Sequence, residues 1–343
     1  MSVNLKSLAE SLGLSQTTVS RGLNGYSDVS ETTRARIKEA AKRLNYSPNA
    51  RAKSLATGKT RTIGHIIPSS TQHEMVNPIF GDFVAGASAV YAEHGYSMLL
   101  SRVDNADEAE VYADIISSGK VDGILVQGPS VYDKRIERLI DLDVPFAVHG
   151  RSSGVEDSYD WVDTNNRRAF ERSTSLLLDL GHRKIALLNG LPYMDFAERR
   201  RKGFLDAYNS AGIAPDADLI FSQEMTEGYG YSIANSLLKM EEPPTAFIAS
   251  SLITALGVRR AIEGQGLSMG REVSVITHDD MLSYLPNGDN LPVFTATRSA
   301  VSEAGKILAK ILIDRIEGNA AEQATRLLEA ELVLGNSTGP NIS

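Results

Sequence analysis

The sequence predicts a small all-α head followed by an α/β body made of two doubly wound lobes. Three observations carry that prediction. Residues 4–24, NLKSLAESLGLSQTTVSRGLN, read as two short helices joined at Gly13. From Arg61 onward, short runs rich in Val, Ile, Leu and Phe are mostly separated by helical stretches, the pattern of buried parallel sheets with right-handed crossovers. Charge is also divided. Residues 1–62 hold eleven Lys/Arg against four Asp/Glu, a net of +7, while the other 24 bases and 39 acids give −15, so the whole chain is −8. At 343 residues the chain is too long for one ordinary domain. Its 42% apolar and 23% charged content is ordinary globular usage.

In the first helix Leu5, Leu8, Ala9 and Leu12 recur at i, i+3, i+4 and i+7, which makes one apolar stripe. Gly13 ends it where a left-handed residue costs least. Ser15 is placed to cap the second helix. There Val19 and Leu23 face inward, leaving Gln16, Thr17, Ser20, Arg21 and Asn24 on the opposite face. An amide, hydroxyls and one guanidinium with no acid among them suit the base edges and phosphates of a DNA major groove. The alternative is a merely solvated face. A basic head on an acidic body favours DNA, because only the head then meets phosphates.

GYSDVS is a turn, and Ser30 caps a third helix whose stripe is Ile37, Ala40, Ala41 and Leu44. Asn45-Tyr46-Ser47-Pro48 stops that helix, since the residue before proline is pushed out of the helical region. The segment NARAKSLATG that follows is too short to be a stable helix alone, so its order should depend on what it docks against. A hinge at residues 49–57, helical when paired with a second copy on DNA, would use Leu55 as a wedge in the minor groove. An ordinary basic linker is the alternative. The expected division is a DNA-binding domain at 1–47, a hinge and linker at 48–60, and a core at 61–343. Its lobes would be roughly 61–164 with 299–325 and 165–296 with 326–340.

TIGHIIP, SMLLSRV, GILVQG, VPFAVHG, KIALLNG, AFIAS and VSVIT are the strand-like runs of the core. Ligands of such sheets bind beyond the carboxyl ends of strands. Those ends read Pro68-Ser69-Ser70, Gln127-Gly128, His149-Gly150-Arg151, Asn189-Gly190, Ser250-Ser251 and Thr277-His278-Asp279-Asp280. Such polar ends either line a cleft for a neutral polyhydroxylated ligand or simply cap helices and make turns. Trp161 and Phe196 are candidates to stack on the apolar face of that ligand.

Several classes are disfavoured. The chain has no cysteine, hence no disulfide framework and no thiolate chemistry. The six histidines lack HExxH spacing, Lys53 stands where a phosphate loop before Gly58-Lys59-Thr60 needs glycine, and GQGLSMG at 264–270 does not follow a strand. No catalytic residue, metal site or cofactor is expected. No leader or membrane-length apolar run is read, so the expected location is the cytoplasm, and a periplasmic solute-binding protein is disfavoured.

The residues LAESLGLSQTTVSRGLNG, VSETTRARI, LNYSPNARAKSLATG, NPIF (77–80), VDGILV (121–126), LGHRKIALLNG (180–190), RRKGF (200–204), PTAFIAS (244–250) and VSVITHDD (273–280) occur in this order. With them the chain resembles the lactose-repressor (LacI/GalR) family over essentially its whole length. The resemblance implies a helix-turn-helix head and a core of two lobes of periplasmic-binding-protein type. It further implies a homodimer reading pseudo-palindromic double-stranded DNA under control of a small effector. On matching positions, Gln16, Thr17 and Arg21 would read bases. Leu5, Ser15, Ser20, Asn24, Ser30, Thr33, Tyr46 and Asn49 would hold the DNA backbone or place the helix, and Ala52 and Leu55 would enter the minor groove. Ser69, Gln127, His149, Arg200, Ser250 and Asp279 would line the effector cleft. Ser250-Ser251, His278 and Asn165 depart from the family's usual Asn-Asp, aromatic and Asp, which bears on which effector is bound. A mono- or oligosaccharide inducer is expected, with a nucleobase or nucleoside corepressor as the alternative. No leucine heptads follow GNSTGP, so a dimer is expected rather than a tetramer.

Overall fold

A computed structural model describes residues 4–46, 58–67, 73–102, 108–155, 158–320 and 322–342. The chain divides into two compact units, Met1–Arg61 and Thr62–Ser343.

The first unit holds helices α1 (Leu5–Leu12), α2 (Gln16–Leu23) and α3 (Glu31–Arg43). Each begins on a side-chain cap that satisfies a backbone N–H the helix cannot. Asn4 and Ser7 form a reciprocal capping box, Ser15 Oγ accepts from Thr18 N at 3.0 Å, and Ser30 Oγ accepts from Thr33 N at 3.3 Å. Gly13 ends α1 at φ 65°, in the left-handed region where a Cβ is penalised. Leu8, Ala9, Leu12, Val19, Val29, Ile37, Ala40 and Ala41 close one core, with Leu5, Leu23, Leu44 and Tyr46 packed against it.

The second unit is built on two six-stranded sheets. The first contains β1 (Thr62–Ile67), β2 (Ser97–Arg102), β3 (Gly123–Gln127), β4 (Phe146–His149), β5 (Asp160–Thr164) and β11 (Thr325–Leu328). Its order is β11-β5-β4-β3-β1-β2 and every pairing is parallel. The second contains β6 (Ile185–Asn189), β7 (Ile220–Ser222), β8 (Ala246–Ala249), β9 (Ser274–His278), β10 (Thr295–Arg298) and β12 (Glu331–Val333). It runs β12-β10-β9-β8-β6-β7, parallel except for β12 against β10.

Helices α4 (Pro78–Glu93), α5 (Glu108–Ser117), α6 (Lys134–Asp141) and α11 (Val301–Glu317) accompany the first sheet. Helices α7 (Asn166–Asp179), α8 (Asp195–Ser210), α9 (Glu227–Leu237) and α10 (Leu252–Gly264) accompany the second. Each sheet has a core cluster on either face, as a doubly wound sheet requires. The pairing of β1 with both β2 and β3, and of β6 with both β7 and β8, places a reversal of winding between β1 and β3 and between β6 and β8. A crevice opens at such a point beyond the strand ends, here beside Gln127 and Gly190.

The chain passes between the sheets three times, at 164–166, 298–301 and 328–331. The last crossing corrects the expected break at 325/326. Strand β11 pairs with β5 from Thr325↔Trp161 to Leu328↔Thr164, so the first lobe keeps the chain through Leu328. Among the described residues, no helix is long and apolar enough to cross a membrane.

Candidate functional site

The head presents the polar face of α2. Gln16, Thr17, Arg21 and Asn24 are exposed, while Ser20 is half-buried. Asn24 Nδ2 donates to Ser20 O at 2.9 Å and closes the helix end. Arg21 pairs with Asp28 at 2.9 Å and its guanidinium lies 5.1 Å from the ring centroid of Tyr26. Ser15 and Ser30 are helix caps, and Thr33 sits in the first turn of α3 with its Oγ1 2.8 Å from Ser30 Oγ. Leu5 and Tyr46 are half-buried against the head core, and burial raises the Tyr46 phenol above its ordinary pKa. Arg36 Nη2 ties the end of α1 by donating to Leu12 O at 2.6 Å. The proposed hinge positions Asn49, Ala52 and Leu55 lie outside the described residues, as does Ser69 of the cleft.

In the core a cavity of about 350 Å³ lies at the strand ends of both sheets. Gln127, His149, Phe196, Arg200 and Asp279 line it, five of the residues expected there. Two others are corrected. Trp161, 7% exposed, belongs to the core of the first lobe, and the Arg151 guanidinium covers its ring at 4.7 Å. Ser250 is fully buried behind the wall, where its Oγ donates to Asn189 Oδ1 at 3.0 Å and its carbonyl accepts from Arg200. The strand ends also suggest a wetter site than the one formed. Ile79, Phe80, Phe83, Leu191, Met194, Phe196, Met225, Ile253 and Val301 contribute to the lining, and they come from helices and loops rather than from strand ends.

Arg200 is the hub. Its Nε donates to Asn166 Oδ1 at 2.7 Å, Nη1 donates to Ser250 O at 2.8 Å, and Nη2 lies 3.6 Å from Asp279 Oδ2. Its guanidinium is 4.6 Å from the Phe196 ring centroid and 5.2 Å from that of Phe170. Burial lowers its pKa to about 10, with Asp279 and then Asp163 opposing, so it stays charged. Its position depends on Gly203, one turn along α8. A Cβ there would meet Arg167 O of α7 at 1.9 Å, so only glycine lets the two helices approach closely enough for Arg200 to reach Asn166.

Asp279 has φ 55°, a left-handed conformation uncommon for a residue other than glycine. Ser299 Oγ donates to its Oδ1, and His278 Nε2 is 3.1 Å from the same oxygen. His278 Nδ1 is 2.7 Å from Thr297 Oγ1, and burial lowers the imidazole to about 4. His149 stacks on Phe83 at 4.4 Å and is likewise lowered to about 4, chiefly by burial. Burial raises Asp163 despite its 2.9 Å pair with Arg151.

Among the described residues, every acid and arginine lining the cavity has a protein partner: Arg151 pairs with Asp163, Arg200 with Asp279 and Glu227 with Arg260, and Glu224 is hydrogen-bonded to His73. Gln127 Nε2, a buried donor in the lining, has no hydrogen-bond partner among the described residues. Asp133 and Arg135 fix the loop that follows β3, with Arg135 Nη2 donating to Gln127 O at 3.3 Å and Gly128 O at 3.2 Å. The two lobes are also tied across the cleft. His73 N donates to Glu224 Oε1 at 2.9 Å, Ser283 N to Asp82 Oδ2 at 2.7 Å, and Ser153 N to Asp195 Oδ2 at 2.6 Å.

Sequence reasoning missed Asn166, Asp163, His73 and Glu224. Asp163 belongs to β5 and Asn166 follows it, and the DWVDT run of that strand reads as polar because its two acids are buried only through pairing with Arg315 and Arg151. Glu224 follows the end of β7 (Ile220–Ser222), a short strand with no long apolar run to mark it, and His73 lies at no strand end.

Residues 4–49 match the model for bacterial regulatory proteins of the lacI family, and residues 174–338 that for a periplasmic binding protein-like domain. The chain is 43% identical over 343 residues to the HTH-type transcriptional regulator AglR of Rhizobium meliloti (strain 1021), covering 99% of this chain and 95% of that protein. It is 31% identical over 323 residues to the HTH-type transcriptional regulator RafR of Escherichia coli, covering 93% and 94%. Among solved structures, the Lac repressor dimer bound to operator and the anti-inducer ONPF superposes with a TM-score of 0.84 at 25% identity, covering 99% of this chain and 100% of that one. A complex of the transcriptional regulator CelR with cellobiose gives 0.72 at 27%, covering 98% and 99%.

Proposed function

The chain belongs to the LacI family of bacterial transcriptional regulators, and from that premise we propose that it is a homodimeric repressor whose hold on operator DNA is released by a neutral sugar bound between the lobes of its core. The observation that carries the choice of ligand is the charge pairing of the cavity. An anionic effector would need an unmatched cation, and among the described residues both lining arginines, Arg151 and Arg200, already face an acid, while Asp163, Asp279 and Glu227 face an arginine and Glu224 is hydrogen-bonded to His73. A buried charge without a partner is costly, whereas a hydroxyl needs only hydrogen bonds. Gln127 offers such a bond, and the half-buried Phe196 offers apolar surface for a ring face. Sugar complexes among the structural neighbours support the reading. CelR holds cellobiose, and a LacI family regulator from Enterococcus faecium, with a TM-score of 0.66 at 27% identity, holds ribose.

On the DNA side, Gln16, Thr17 and Arg21 would read base edges. Ser15, Ser20, Asn24, Ser30, Thr33, Tyr46, Leu5 and Asn49 would meet the backbone or set the helix, and Ala52 and Leu55 would enter the minor groove of the duplex. Two heads must reach successive major grooves on one face of the duplex, which sets the need for a dimer. Such a regulator acts in the cytoplasm, where its operator is.

Titration calorimetry against neutral mono- and disaccharides, sugar phosphates, nucleobases and nucleosides tests the ligand. Binding of a neutral sugar that is lost in Arg200→Ala is the expected result, and binding only of a base, a nucleoside or a phosphate would overturn it. Arg21→Ala is expected to erase the preference for operator over scrambled duplex while leaving sugar affinity unchanged.

A further inference from the structure

Between Glu10 and Glu31 the sequence contains one base, Arg21, and one acid, Asp28, and the fold pairs them. Arg21 Nε is 2.9 Å from Asp28 Oδ2, and the guanidinium lies over Tyr26 at 5.1 Å from the ring centroid. The two charged side chains are 46% and 51% exposed and Tyr26 is 48% exposed. An ion pair that wet contributes little to folding, so stability does not account for the arrangement. An acid on this surface also weakens attraction to phosphates, on a head that is otherwise strongly basic.

We propose that Asp28 and Tyr26 are specificity-setting positioning residues. They hold the Arg21 guanidinium by its Nε edge and by one face, so that its Nη1 and Nη2 edge meets a base with its orientation already set. A long side chain otherwise loses much rotamer freedom on making a bidentate contact, and a planar fork held in place loses less. The carboxylate acts twice on binding. It favours the matching sequence through Arg21 and disfavours every sequence alike through its charge, and only the first effect widens the ratio of specific to non-specific binding. The inference rests on α2 being the base-reading helix.

The test uses the full-length chain and two duplexes, one selected by the wild-type chain from a randomised palindromic library and one scrambled from it. Fluorescence anisotropy at fixed ionic strength compares wild type, Asp28→Asn, Arg21→Ala and the double variant, with circular dichroism confirming that each stays folded. Asp28→Asn is expected to bind the selected duplex about three- to tenfold more weakly and the scrambled duplex severalfold more tightly. In the Arg21→Ala background the same change should tighten both duplexes alike. Tyr26→Phe should keep the wild-type ratio and Tyr26→Ala should lower it. Equal tightening of both duplexes by Asp28→Asn in the wild-type background would overturn the proposal by making Asp28 only a charge brake. Equal weakening would reduce it to a structural residue of the turn, and preferential tightening of the selected duplex would make it a restraint on Arg21. If Arg21→Ala itself leaves the ratio unchanged, the reading of α2 fails. If Arg21→Ala collapses the ratio while Asp28→Asn does not lower it, only the positioning role fails.

Discussion

Arg200 shows how one side chain can be both a structural tie and part of a cavity wall. Its fork meets Asn166, Ser250 and Asp279 while Phe196 and Phe170 flank it. Lysine carries the charge without the planar fork, so Arg200→Lys should lose sugar binding in calorimetry nearly as fully as Arg200→Ala. Arg200→Ala should also destabilise the core by about 3 kcal/mol in urea denaturation, because it leaves Asp279 buried with its arginine partner removed. The buried imidazoles make a separate prediction. His65, 2.8 Å from the Tyr91 hydroxyl, and His278 are lowered by burial from 6.5 to about 4. Between those values the unfolded chain binds more protons than the folded one, so stability rises with pH. Their contribution is fully present above about pH 6.5 and is lost as pH falls toward 4. The urea midpoint should therefore drop between pH 7 and 4.5, and a His65→Gln variant should show a shallower drop. An unchanged slope in that variant would count against a neutral buried His65.

At the scale of elements, the contact of α7 with α8 links packing to the cavity. Gly203→Ala drives a methyl into the Arg167 carbonyl, so the helices must separate at a cost of about 1–3 kcal/mol and Arg200 must draw away from Asn166. Calorimetry should show weaker sugar binding together with a lower melting temperature, whereas Gly228→Ala, with open space around its Cβ position, should change neither. How readable these elements were in the sequence follows their chemistry. α1 to α3 were legible because each has a capping residue and a helical apolar period, and the seven strands with runs of branched apolar residues were legible for the same kind of reason. β5, β7, β10, β11 and β12 escaped notice because β7 is the short edge run IFS, while DWVDT, TATR, TRLL and ELV carry acids, threonines and arginines that pair or sit at sheet edges. The RRKGF run singles out Arg200, and the structure has it in the cavity lining. Position at a strand end misled at Ser250, which turns away from the cavity toward Asn189, and Trp161, offered as a stacking ring, is packed in the core. His73 and Glu224 meet across 151 residues of chain, a distance no local pattern spans.

For the whole molecule, the division of charge and the cavity between two sheets belong to one account. A head of +7 supplies attraction to DNA, and a body of −15 keeps the rest of the surface off it. Control by a ligand requires that the sugar bind the operator-bound and free forms with different affinity, and the coupling must then be reciprocal. The most direct measurement is a pair of titrations on the full-length chain: operator affinity by anisotropy with and without saturating sugar, and sugar affinity by calorimetry with and without saturating operator. The account predicts that sugar weakens operator binding and that operator weakens sugar binding by the same factor. A sugar that binds the cavity, loses binding in Arg200→Ala, and yet leaves operator affinity unchanged would contradict it.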